Sequence, residues 1–314
     1  MNKRVLTVIV ILMIVTGLSL LLYPTVSDYL RTLAYRRTIS SYTASVEQLD
    51  DHRYEELLAA ARAYNKRLAE RGGFTLALSK EQWAEYISLL DIDNSGVMGY
   101  VSVPKVNISL PIYHGTDDSV LQSGVGHLEG SSLPMGGPGT HTVLSAHTGL
   151  PSAKLFTSID QLMEGDTFTV RVLKETLTYQ VDQILVVLPY QTDALRIEPE
   201  KDYCTLVTCT PYGVNSHRLL VRGHRIPTPH GEDASSDFAV GGLGLDNSGL
   251  FNPTAVLVLL ILAVLVLAVL VIALRRKRMW KRAKRLKKKG KNEESSQNSP
   301  DPEHPGAVAE EVIE

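Results

Sequence analysis

Two stretches of the chain carry no charge and almost no polar alternation. Val5 to Tyr23 is an apolar run of 19 residues, and Ala255 to Leu274 is a purer run of 20. At 1.5 Å of rise per residue each can cross a hydrocarbon core of about 30 Å. The pattern therefore predicts transmembrane helices over 5–23 and 254–274. Lys3 and Arg4 precede the first run and no convincing small-residue cleavage site follows it, so it reads as a retained anchor, with a cleaved signal peptide as the alternative. Behind it, from about Thr25 to Arg71, the periodicity is helical. Leu57, Ala61, Tyr64 and Leu68 fall at i, i+4, i+7 and i+11 on one face, with Asp50 or Asp51 as the cap and Gly72-Gly73 as the stop.

From Val97 the period shortens to two. Ile108, Leu110 and Ile112 alternate with Asn107, Ser109 and Pro111; Phe168, Val170 and Val172 alternate with Thr167, Thr169 and Arg171; Leu177, Tyr179 and Val181 follow the same rule. The continuous apolar runs Ile184–Leu188 and Leu219–Val221 predict more deeply buried strands, and GSSLPMGGPGTH predicts a long surface loop. Strands without alternating helices over 97–228 suggest a mainly β fold, a closed or nearly closed barrel. Residues 24–96 form a helical segment ahead of it. The Gly- and Ser-rich residues 229–253 read as a flexible tether back to the membrane.

Charge fixes the orientation. Twelve Lys and Arg lie between Arg275 and Lys291, directly after the second apolar run. By the positive-inside rule both termini, 1–4 and 275–314, are cytoplasmic and the stretch between the spans lies outside. That middle holds 18 basic and 27 acidic side chains, a net charge near −9. The basic tail thus reads as a stop-transfer anchor on anionic lipid rather than a nucleic-acid contact. Residues 292–314, rich in Glu, Ser and Pro, read as disordered. With 44% hydrophobic and 21% charged residues and two Cys, the chain is not disordered, collagen-like or stapled by disulfides.

The candidate chemistry sits at strand ends. Cys209 closes the strand-like TLVTC, and Pro211 then breaks the ladder. His147 in VLSAHTG also opens into a turn, where it could act as acid and base toward a thiol. Arg218 begins the next strand, nine residues after Cys209. A short turn would bring its guanidinium near the thiol, where it could hold an oxyanion. Cys204, inside an apolar stretch, reads as a packing thiol, and its odd spacing from Cys209 argues against a disulfide between them. His114, His127, His141, His217 and His224 raise a zinc alternative, but no metal-ligand spacing supports it. DIDNSG at 91–96 opens like a calcium loop yet lacks the acidic twelfth residue, and reads as a turn. Neither a GxGxxG nor a P-loop is present.

Together these segments carry a family likeness. TLVTCTPYGVNSHRLLVRGHR (205–225) resembles the active-site segment of the sortases, in particular the class C, pilin-polymerising branch. GVMGYVSVPKVNISLPIYHGT, GVGHLEGSSLP and THTVLSAHTGLPSAKLF are similar to the same branch. The resemblance implies a sortase β-barrel and cysteine transpeptidation without cofactor or metal. Cys209 would be the nucleophile, His147 the proton carrier and Arg218 the carbonyl or oxyanion stabiliser. Substrates would be pilins or surface proteins of a Gram-positive cell wall bearing an LPXTG-like C-terminal sorting signal, with a pilin lysine as acceptor. A housekeeping-type sortase joining proteins to wall peptide and a non-catalytic surface module are the alternatives. Class C sortases usually carry an Asp-Pro-aromatic lid ahead of the barrel. No Asp-Pro occurs between Arg71 and Gly96, leaving Phe74 or Trp83 as aromatics that could fill a groove.

Overall fold

The computed structural model describes residues 3–72, 74–75, 78–229 and 275–280. Helix α1 (Lys3–Glu47) is one element of 45 residues with Pro24 inside it. The apolar run over 5–23 and the start of the helical segment behind it thus form one element, and the helix runs on past its proline. Among the described residues it is the one helix long and apolar enough to cross a bilayer. The second predicted span, the tether beyond Pro229 and the tail beyond Trp280 lie outside the described residues. Residues 275–280 are helical and exposed.

The far half of α1 changes role because its sequence becomes amphipathic. Ile39, Tyr42 and Val46 are buried against Val97 and Tyr100. The Tyr42 hydroxyl donates to Met98 O (2.9 Å) and accepts from Leu173 N (2.8 Å), tying the helix to the barrel. Helix α2 (Asp51–Glu70) starts where Asp50 accepts from Arg53 N at 2.7 Å. It buries Leu57, Ala61, Tyr64 and Leu68 as their spacing demands. Helix α3 (Lys80–Ser88) opens on a reciprocal cap between Ser79 and Gln82 and buries Tyr86 completely.

Eight strands follow: β1 (Val97–Val103), β2 (Ile108–His114), β3 (Val125–His127), β4 (Thr140–Ser145), β5 (Thr167–Val172), β6 (Glu175–Val187), β7 (Asp202–Thr210) and β8 (His217–Ile226). A six-residue helix, α4 (Asp118–Ser123), precedes β3. The strands close into a barrel in the order β1-β2-β3-β4-β7-β8-β6-β5. The β2–β3 and β4–β7 pairs are parallel, and the rest are antiparallel. Inward residues such as Phe168, Val170, Leu177 and Tyr179 fill the interior, as the period of two predicts.

Two local expectations are corrected. Only the middle of GSSLPMGGPGTH, around Gly136–Gly139, reaches the surface: Ser131, Ser132 and Leu133 are fully buried. The serine hydroxyls accept from Val143 N (3.2 Å) and His141 N (3.0 Å), so the segment is stitched to β4. Asn65 completes it, pairing both its amide atoms with the backbone of Leu133 at 2.9 and 2.7 Å. Ile184–Leu188 is in turn less buried than its apolar run implies, and Val186 is 61% exposed. The partner β5 stops opposite Gln180, so this end of β6 has β8 on one side only.

Candidate active site

The β7–β8 hairpin sets the first two groups. Cys209 and Arg218 are opposed residues in its register. Directly opposed residues in an antiparallel pair project to the same face with Cβ atoms about 5 Å apart. The ladder ends one pair on, at Thr210 and His217, because Pro211 has no N–H to offer. The turn closes on Pro211 O, which accepts from Val214 N and Asn215 N, both at 3.0 Å. One guanidinium nitrogen of Arg218, Nη1, donates back to Asn215 O (3.2 Å) and His217 O (3.1 Å), anchoring the side chain to the turn. Cys209 is half-buried and unpaired, whereas Cys204 is fully buried. Desolvation holds the Cys204 thiol well above its ordinary range, which suits a packing role.

His147 comes from the other side. Strand β4 ends at Ser145, and Ala146 is clamped to β7: its N–H donates to Val207 O (3.1 Å) and its carbonyl accepts from the buried Thr208 hydroxyl (2.8 Å). His147 O then accepts from Phe156 N at 3.1 Å. Two residues on, Gly149 has φ +73, and a Cβ there would lie 3.0 Å from the Tyr212 ring. The loop carrying His147 and the turn after Cys209 thus meet through a glycine-sized gap. Cys209, His147 and Arg218 line one groove of about 410 Å³, with Val143, Val187 and Leu195 among its apolar walls. A thiol, an imidazole and a guanidinium over an apolar floor can perform acyl transfer, since they supply a nucleophile, a proton carrier and a donor for an oxyanion.

The two candidate aromatics part company. Phe74, half-buried, packs against the cluster of Val143, Leu195 and Leu220 that floors the groove. Its neighbour Thr75 donates its N–H to Gly130 O at 3.3 Å, and only glycine at 130 leaves room for that backbone. Trp83 instead joins the main core, 5.5 Å ring to ring from Tyr86 and against Gly115.

The remaining histidines do not converge. His127 is fully buried, with Nδ1 2.9 Å from the Tyr86 hydroxyl and Nε2 2.9 Å from Ser132 O. His141 binds Arg196 O and Thr205 Oγ1, and His114 lies between Leu89 O and Gly96 O. Among the described residues no three His, Cys, Asp or Glu are grouped to hold a metal. In the DIDNSG turn, Asp91 accepts from Gly96 N and Asp93 from Ser95 N. Sequence reading missed Ala146 and Thr208. Thr208 was visible only as the polar alternate position in LVTC, which does not say what it binds.

Known proteins match this architecture. The family described as Sortase domain matches residues 101–226. Sortase D of Bacillus subtilis is 30% identical over 131 residues, 41% of this chain and 63% of that protein. Sortase A of Streptococcus agalactiae is 29% identical over 150 residues, so the chain spans about six-tenths of each of these two relatives. Among solved structures, sortase C1 of Streptococcus agalactiae is 52% identical, with a TM-score of 0.60 over 62% of this chain and 100% of that one. Sortase C of Clostridium perfringens, solved with a C-terminal cell wall sorting motif, is 46% identical, with a TM-score of 0.54 over 61% of this chain and 99% of that one. Streptococcus pneumoniae sortase C is 43% identical, with a TM-score of 0.56 over 61% of this chain and 97% of that one. With matches of that identity running through nearly the whole of these solved structures, the chain belongs to the sortase family of cysteine transpeptidases and is similar to its class C members.

Proposed function

We propose that this chain is a membrane-anchored class C sortase that joins pilin subunits outside the cell. Cys209 attacks the scissile carbonyl of an LPXTG-like sorting signal. The new C–S bond and the broken Thr–Gly C–N bond leave a thioester, and His147 gives a proton to the departing amine. A lysine amine of the next pilin then attacks the thioester, gives its proton to His147, and displaces the Cys209 thiolate as an isopeptide bond forms. Arg218 donates to the carbonyl oxygen as it gains charge in each step. No external energy is needed, because amide, thioester and amide follow one another with the acyl group kept activated.

The observation that carries this reading is the opposed pair Cys209 and Arg218 sharing one groove with His147. Incubation of the full chain with candidate pilins, followed by mass spectrometry, tests it: Lys–Thr isopeptide products are expected, and a sorting peptide left intact would overturn it. The relatives named sortase A give a second reading, in which the acceptor is a cell-wall peptide amine. Offering both amines in one reaction separates the two.

A further inference from the structure

We propose that the stretch of α1 just beyond its apolar run braces the loop that carries His147, with Asp28 and Ser27 as positioning residues. The proposal rests on the sortase reading above. Ser27 and Asp28 lie four and five residues past Tyr23 on an uninterrupted helix. Ser27 Oγ donates to Ser152 O at 3.0 Å, and Asp28 Oδ1 accepts from Lys154 N at 2.9 Å. These bonds reach 125 and 126 residues along the chain into the loop between β4 and β5. Asp28 Oδ2 also lies 3.8 Å from Lys154 Nζ. That lysine is 79% exposed, so the ion pair adds little and the backbone contact is the firm one.

The loop passes the restraint on. Thr157 N donates to Lys154 O at 2.8 Å, and the Thr157 hydroxyl bonds the same carbonyl. That hydroxyl accepts from Gly149 N at 3.0 Å, two residues from His147. Phe156, fully buried, holds His147 O. A path of hydrogen bonds therefore leads from Asp28 through Lys154 and Thr157 to the Thr148–Gly149 peptide, just after His147. The peptide before His147 is fixed at Ala146 by Val207 O and the Thr208 hydroxyl, so His147 is held from β7 on one side and from α1 on the other. Removal of the α1 side leaves the thiol and guanidinium in place and frees the imidazole.

The full chain in detergent carries the test, with two sorting peptides that differ only in the leaving group. An amide needs a proton on its departing nitrogen; a thioester of the same acyl sequence does not. Ser27→Ala with Asp28→Ala is expected to lower the single-turnover rate of Cys209 acylation by the amide about tenfold at saturating peptide, and to leave acylation by the thioester nearly unchanged. Hydrogen exchange over 150–157 should quicken in the same variant. Asp28→Asn, which keeps the accepting oxygen, and Lys154→Ala should both stay close to the parent. Unchanged exchange, or faster exchange with unchanged acylation by the amide, overturns the proposal, as does equal loss of acylation rate on both substrates. A parent chain that never acylates Cys209 removes the sortase reading instead, and the exchange result then shows which of the two failed.

Discussion

Cys209 and Arg218 stand opposite one another one rung before the turn of the β7–β8 hairpin. The guanidinium is tied to Asn215 O and His217 O through one nitrogen only. Cys209→Ala should fold with stability within about 1 kcal/mol of the parent and capture no sorting peptide. Arg218→Lys should lower kcat by about 10² to 10³, because an ammonium cannot reproduce the planar fork that meets a developing oxyanion. Single-turnover thioester formation followed by mass spectrometry checks both, and near-normal turnover by the lysine variant would remove the oxyanion role.

Phe74 packs against the cluster that holds Val143, Leu195 and Leu220, three residues that line the groove. Phe74→Ala should cost about 2 kcal/mol of stability, in line with a half-buried ring. It should also raise the rate of Cys209 alkylation at least about threefold, since local opening limits access. Trp83→Phe, acting on the main core beside Tyr86, should leave that rate alone. Equal alkylation rates in parent and Phe74→Ala would show that Phe74 does not cover the groove.

Thr208→Val keeps shape and removes the donor to Ala146 O. A buried carbonyl left unpaired costs about 1–3 kcal/mol. Because that carbonyl precedes His147, kcat should fall more than KM rises. A stability loss with unchanged kcat would make Thr208 purely structural.

Burial depresses the His127 pKa from 6.5 to about 4, with His114 adding a little and Ser132 O opposing. The unfolded chain therefore binds more protons than the folded one between these values. Stability should be full above pH 6.5, fall as pH drops, and level off below about 4, a loss of about 3 kcal/mol from this residue. Burial depresses His141 as well and acts in the same direction. Urea unfolding from pH 7.5 to 4 should show the decline, and His127→Gln should flatten it relative to the parent.

Much of this was legible in the chain. The face of α2, its cap at Asp50 and the alternating strands follow from local periodicity, which needs no knowledge of partners. Cys209 and Arg218 were also within reach, because a hairpin sets their opposition through short-range geometry. What escaped was long-range. Nothing in the string says that Asn65 substitutes for a strand partner at Leu133, or that Ser131 and Ser132 bury themselves against β4. The glycines around them suggested solvent, and only tertiary hydrogen bonding reverses that.

The unbroken run of α1 sets a distance. From Pro24 to Glu47 the helix rises about 35 Å at 1.5 Å per residue, while Asp28 sits only about 8 Å above Tyr23. With the apolar run seated in a bilayer, the His147 loop would hover within one Debye length of the headgroups. Such a stiff mast denies the groove free swing through the aqueous layer. Encounters would then be confined to a thin slab, where any acyl donor tethered in the same leaflet meets the thiol by lateral diffusion.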